Sequence, residues 1–161
     1  SLWAYLEPIG QAAGLDAKAA QTLISGVLAV QVVGGLVATA LVRRVSVVPT
    51  VALGSVVLGS ATLFVHQLAP GSLLAFSLAC AVFGFTWLLL LPFHIGLAFR
   101  ADASGRVAML VPAAQLVGSA FGPLVASFAV QGDDASAVPL VSSAFAVAAI
   151  AVLALARRPR R

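Results

Sequence analysis

Five apolar stretches, each near or above the ~20 helical residues needed to cross a ~30 Å hydrocarbon core, dominate this chain and leave it few ways to fold. They cover residues 19–42, 46–65, 71–99, 107–130 and 137–156. Backbone N–H and C=O groups in lipid must be satisfied within the spanning element or by a closed barrel. Barrel strands alternate apolar and polar side chains over about ten residues, whereas Leu88-Leu89-Leu90-Leu91 and the run from Ala144 to Ala156 show no alternation. The stretches are therefore expected to be helices, and the chain an all-α, polytopic membrane bundle. Composition agrees: 9% of residues are charged, against about 25% in a soluble domain. So little charge does not coat a water-facing surface.

The connections carry the topological signal. Arg43-Arg44, then Arg100 and Arg106, then the four arginines of Arg157-Arg158-Pro159-Arg160-Arg161 occupy alternate ends of the spans. The intervening loops, His66-Gln67 and Gly132-Asp133-Asp134, hold no Lys or Arg, and Lys18 is the single basic residue on that side. By the positive-inside rule, all eight arginines face the cytosol, and a multi-pass protein of the plasma (inner) membrane with a cytoplasmic C-terminus is expected. The net charge of +4 suggests nucleic acid in a soluble chain. Here the arginines form short clusters between apolar runs and build no basic face, so no nucleic-acid partner is expected; the bilayer is the partner.

The organisation read from this pattern has three parts. Residues 1–14 look like the end of a transmembrane helix whose earlier turns are missing, which makes a fragment or trimmed chain the expectation; no basic, signal-like region precedes an apolar core. Residues 15–156 form the five-helix bundle, and residues 157–161 a basic cytoplasmic tail. Pro49, Pro112 and Pro139 fall in first turns, where a missing N–H is tolerated. Pro92 and Pro123 lie deeper and are expected to bend or loosen their helices. Cys80 is the lone cysteine, which excludes an internal disulfide and a cysteine-cluster metal site. No cofactor is implied.

Candidate functional residues sit on helix faces. In 107–130, Gln115, Gly118, Ser119, Gly122 and Ala126 share a stripe; Gly118 and Gly122 make a small-residue packing seam, with Gln115 beside it as a packing partner or as the wall of a polar pathway. In 19–42, Gln31, Gly34, Gly35 and Ala38 share a face: Gln31 either bonds a neighbouring helix or contacts solute, and the glycines permit close packing. In 71–99, Phe76, Cys80, Phe83, Trp87, Leu91 and His94 align. Trp87 is far from the interfacial belts tryptophan favours, so lipid or core contact and a cavity wall both remain open. His94 is either a hydrogen-bonded histidine or a proton carrier. Glu7, after Trp3 and Tyr5, is an exposed outer-end carboxylate or a rim site for a proton or cation. Asp102 and Arg106 are spaced to pair, and Ser104 is spaced to cap the next helix.

Trp3-x-Tyr5-x-Glu7-Pro8-Ile9-Gly10 with Gly14-Leu15, the loop Asp102-x-x-Gly105-Arg106, and Gln115-x-x-Gly118-x-x-x-Gly122-Pro123 occur in an order that resembles the C-terminal half of the major facilitator superfamily (MFS). Arg43-Arg44 falls where that family keeps a basic loop between its helices 8 and 9. The segment from Gly35 to Arg44 lacks the Asp of the family's N-terminal Gly-x-x-x-Asp-Arg type loop, which favours the C-terminal half. The resemblance implies helices 8 to 12 plus the end of helix 7 of a secondary transporter. It further implies a missing N-terminal half as partner, a small-molecule solute moved by alternating access, and a cavity lined by Gln31, Trp87 and Gln115. Residues 46–65 and 140–156 would then be peripheral. The alternative is a non-transporting membrane subunit, or a permease component of another transport system. An enzyme is not expected. No span carries a nucleophile motif, His66 and His94 do not form the His-Glu-x-x-His pattern of a metalloprotease, and no span contains the Lys that a retinal-type Schiff base needs. The aromatic wall candidates suggest an amphipathic or drug-like solute.

Overall fold

The computed structural model describes residues 2–69, 71–132 and 134–156. Among them the chain is all-α. A 3₁₀ turn, Leu2–Tyr5, leads into α1 (Leu6–Ala12), followed by α2 (Ala17–Leu41), α3 (Val47–Gln67), α4 (Leu73–Ala101), α5 (Arg106–Ser127) and α6 (Val138–Ala156). The five helices from α2 to α6 are long and apolar enough to cross a membrane, and their ends lie within three residues of the expected spans. The basic tail, 157–161, and Asp133 lie outside the described residues.

Two helix starts, those of α2 and α5, are set by a side-chain partner or a permissive backbone. Asp16 caps α2 by accepting from Ala19 N at 2.6 Å, satisfying one of the amides a helix start leaves orphaned. Inside the apolar helices, hydroxyls bond carbonyls one turn back: Ser25 to Gln21 O, Ser55 to Val51 O and Ser142 to Val138 O. A hydroxyl that has no water must find such a partner.

Before α5, Ser104 does not cap. Gly105 occupies the cap position at φ +79, a left-handed turn that a side chain disfavours. Asp102 does the bonding: its carboxylate accepts from Ser104 N at 2.9 Å, Ser104 Oγ at 2.7 Å and Val107 N at 3.4 Å. The Ser104 hydroxyl, then the Ser104 amide, hold the Asp102 carboxyl below its ordinary value. A depressed carboxyl value means the ionised form is favoured in the fold. The ordered loop is therefore fully stabilised above about pH 4, the ordinary aspartate range, and loses that contribution as pH falls through the depressed value. Ser104→Ala is expected to move the Asp102 titration, followed by carboxyl ¹³C NMR, back up toward the ordinary value.

Packing in lipid depends on close approach, since apolar surface gains little by leaving one hydrocarbon for another. At α2–α4, Gly34 lies directly on the carbonyl of Phe85, and a Cβ at Gly84 would meet Val27 Cγ1 at 2.6 Å. At α3–α4, a Cβ at Gly54 would meet Leu90 Cδ2 at 2.5 Å; at α3–α6, one at Gly59 would meet Ala146 Cβ at 3.1 Å. Thr62 Oγ1 and Ser143 Oγ join α3 to α6 at 2.7 Å. Helix α4 is thus a central strut gripped by α2 and α3, while α6 leans on α3. Of the five long helices α5 is held least, touching α4, α6 and the 3₁₀ turn only sparsely, and Ala108, Gly122 and Ala126 are its buried residues.

Three local features stand beside the expected pattern. Residues 2–12 form a 3₁₀ turn and a two-turn helix, which bury Leu2, Leu6 and Ile9 and tie Leu2 N to Ser142 Oγ at 3.1 Å. Helical structure runs without interruption through Pro92 in α4 and through Pro112 and Pro123 in α5. Pro112 is seven residues into α5 and so lies in its second turn. At one end of the bundle, Gly71 N donates to Ala13 O at 3.0 Å and His66 Nδ1 meets Ser136 O at 2.9 Å. At the other, Leu41, Val42, Val47, Leu97 and Leu153 pack around Ala38, Val51 and Phe93. The α2–α3 connection, with Arg43 and Arg44, leaves this second end, as does the α4–α5 loop.

Candidate functional site

Residues 83, 87, 90 and 94 recur at helical spacing on α4 and turn Phe83, Trp87, Leu90 and His94 to one side. That side opens on a cavity of about 500 Å³ between α3, α4, α5 and α6. Helix α5 contributes Gln115, Gly118, Phe121 and Gly122. Helix α3 adds Ser55, Leu58 and Thr62, and α6 adds Ser142, Phe145, Ala146 and Ala149. A second cavity of about 230 Å³ lies between the 3₁₀ turn, α2, α4 and α5, with Trp3, Leu28, Gln31, Ser119 and Pro123 in its wall. Phe83, Trp87 and Gly118 line both. The Phe83 and Trp87 rings stack with centroids 6.1 Å apart and planes 20° apart, a favourable aromatic geometry, and form a shared partition. Trp87 is the middle residue of α4, so the partition stands halfway along the strut.

Of the residues singled out in the sequence, Gln31, Trp87, Gln115 and His94 all reach these two cavities: Gln31 the smaller, Gln115 and His94 the larger, Trp87 both. Glu7 lines neither; it is exposed and accepts from Gln11 Nε2 at 3.3 Å. Gly34 and Gly35 lie against α4, at Phe85 and Leu88. Gly118 departs from the expected packing seam, because a Cβ there would meet nothing within 4 Å, while Gly122 is buried. The α4 stripe also shifts by one residue: Leu90, not Leu91, lines the cavity, and Phe76 and Cys80 are buried in the core.

The larger departure concerns α3 and α6. They were expected to be peripheral, yet Ser55, Thr62 and Ser142 help wall the larger cavity. The signal was available: Ser55, Leu58 and Thr62 follow helical spacing, and a hydroxyl on an otherwise apolar span favours the protein side over lipid. Among the described residues no Asp, Glu, Lys or Arg lines either cavity. Among the described residues no group of three or more His, Cys, Asp or Glu is arranged to hold a metal ion. Comparison of the chain with protein-family models, with curated proteins and with solved structures found no match.

Proposed function

We propose that this chain is one half of an MFS-type secondary transporter, moving a small solute across the plasma membrane by alternating access. Its arginine-bearing end and C-terminus face the cytosol. The observation that carries this reading is the mid-bundle cavity of about 500 Å³, walled by apolar and aromatic side chains and bearing Gln115 and His94. Small-molecule sites are concave, mostly apolar, and hold a few polar groups that orient the ligand. In transporters such sites lie near the bilayer midplane, between helix groups that rock against each other. The sparse packing of α5 supports the same reading, since a wall that must move gains from holding few contacts. A second set of helices, the proposed missing half, would close the bundle on that side.

The reading is tested by reconstituting the complete transporter in proteoliposomes and changing Gln31, Trp87 and Gln115 singly to Ala. Solute flux is expected to fall about tenfold or more for Trp87→Ala and Gln115→Ala, the factor that corresponds to ~1.4 kcal/mol of lost binding. Gln31→Ala is expected to have a smaller effect, because Gln31 borders only the smaller cavity. Unchanged flux in all three variants rules out this cavity as the solute site.

A further inference from the structure

The polar groups of the larger cavity divide into two kinds. Ser55 donates to Val51 O at 2.9 Å, and Ser142 donates to Val138 O at 3.1 Å and accepts from Leu2 N at 3.1 Å. Thr62 is engaged with Leu58 O, Gly59 O and Ser143 Oγ. Thr62 and Ser142 thereby join separate elements, and Ser55 is satisfied on its own helix. Gln115 and His94 differ, because neither side chain makes a hydrogen bond among the described residues. Both are half-buried, and among the described residues no buried side-chain nitrogen or oxygen is left without a partner. Their amide and imidazole atoms therefore open onto accessible space, and both residues line this cavity. An amide offers two donors and an acceptor, and an imidazole adds a donor and an acceptor.

The rest of the wall restricts what reaches them. Phe83, Trp87, Phe121 and Phe145 are aromatic, and among the described residues no carboxylate, ammonium or guanidinium faces the space. A charged solute would lose its hydration and find no counter-charge. A lipid acyl chain would leave both open polar groups unpaired in hydrocarbon, where an unmade hydrogen bond is most costly.

We infer that the larger cavity binds an uncharged solute with a planar aromatic body and one hydrogen-bonding end, the ring seated on Trp87 and the polar end on Gln115 and His94. This deepens, and rests on, the proposal that the cavity is the solute site. A volume of about 500 Å³ falls inside the range of ~300–1,000 Å³ typical of small-molecule sites. The Phe83–Trp87 stack presents a flat face, which a planar ring covers with little lost freedom.

The test is equilibrium binding to the complete protein in lipid nanodiscs, with binding to empty discs subtracted, using three tritiated probes that share one ring system. They are 2-naphthol, 2-naphthoate and 2-naphthylmethylammonium. Saturable binding of 2-naphthol is expected, with both charged probes at least about 100-fold weaker. Gln115→Leu and His94→Leu should each weaken 2-naphthol about tenfold. Ala114→Trp, which fills the cavity from α5, should abolish its binding, and Leu116→Ala, on the exposed side of α5, should leave it unchanged. Variants are compared only after far-UV circular dichroism and gel filtration match the parent protein.

Charged probes binding as tightly as 2-naphthol would overturn the inference. So would absence of saturable 2-naphthol binding by the folded protein, or binding that survives both Gln115→Leu and Ala114→Trp, the behaviour of simple partitioning into lipid. Because the assay reads binding and not flux, its outcome separates from the transporter reading. A complete protein that binds 2-naphthol but moves no solute keeps the ligand class and loses transport. The reverse result keeps transport and loses the ligand class.

Discussion

Gly34→Ala is expected to lower the stability of the bundle by about 3 kcal/mol, the upper part of the usual range for overpacking a tight interior, and Gly34→Leu to prevent the native packing of α2 on α4. The added Cβ would overlap the Phe85 carbonyl, its oxygen and carbon alike. Backbone does not rotate aside as a flexible side chain does, so the two helices must separate. They are coupled by a second close approach, Gly84 on Val27, and separation at Gly34 disturbs that one too. Because apolar surface gains nothing by moving from lipid to protein, close van der Waals contact is most of what holds this pair. Reversible unfolding in mixed micelles checks the prediction. Gly118→Ala is the internal control: the new methyl meets nothing within 4 Å, and an unchanged or slightly raised stability is expected, alanine being the better helix former.

Phe93→Ala is expected to cost about 3 kcal/mol in the same assay, at the low end of what is measured for removing a buried aromatic ring. Phe93 is fully buried and packs with Ala38 and Val51, with Val47, Leu97 and Leu153 around it. Removing the ring leaves a void whose lining loses contacts on one side. In water part of the loss would be transfer free energy. In lipid the unfolded helix also keeps its phenylalanine in hydrocarbon, so the loss is mainly the packing term, hence the low figure. Phe128→Ala sets the comparison: Phe128 is 83% exposed, and its removal is expected to change stability by less than about 0.5 kcal/mol. Similar losses at the two positions would mean that burial in this bundle does not govern stability.

These contrasts show what the sequence makes legible. The long helices were readable because lipid demands uninterrupted apolar runs closed by polar residues, a one-dimensional rule; α2 begins directly after its Asp16 cap and α4 ends beside Arg100. Cavity residues on α4 and α5 were readable for a related reason: Trp87 and Gln115 are out of character at mid-span. Helix seams were harder. Gly118 and Gly34 look alike in sequence, yet one faces open space and the other a carbonyl, because a glycine states that close approach is permitted and not that a neighbour is there. Gly84, which α2 grips, carries no local mark at all. The hydroxyls of α3 and α6 mark a protein-facing side by their spacing, but Ser and Thr can also satisfy themselves on their own helix, so the mark does not say whether a seam or a cavity lies there. Ser104 looked like a cap by type and position, but Gly105 at positive φ turns the chain so that Asp102 reaches the α5 amides.

The proposed transport role depends on sidedness, since alternating access requires that the two ends of these helices meet different compartments. The direct measurement is labelling of single cysteines by a membrane-impermeant maleimide in intact and permeabilised cells. The native thiol of Cys80 is buried and contributes little background. Cysteines at Ala69 and Gln131 should label in intact cells. Those at Val45 and Ala103, in the arginine-bearing connections, should label only after permeabilisation. Reaction of Ala103→Cys and Gln131→Cys from the same side would mean that α5 does not cross the membrane, and would contradict the account.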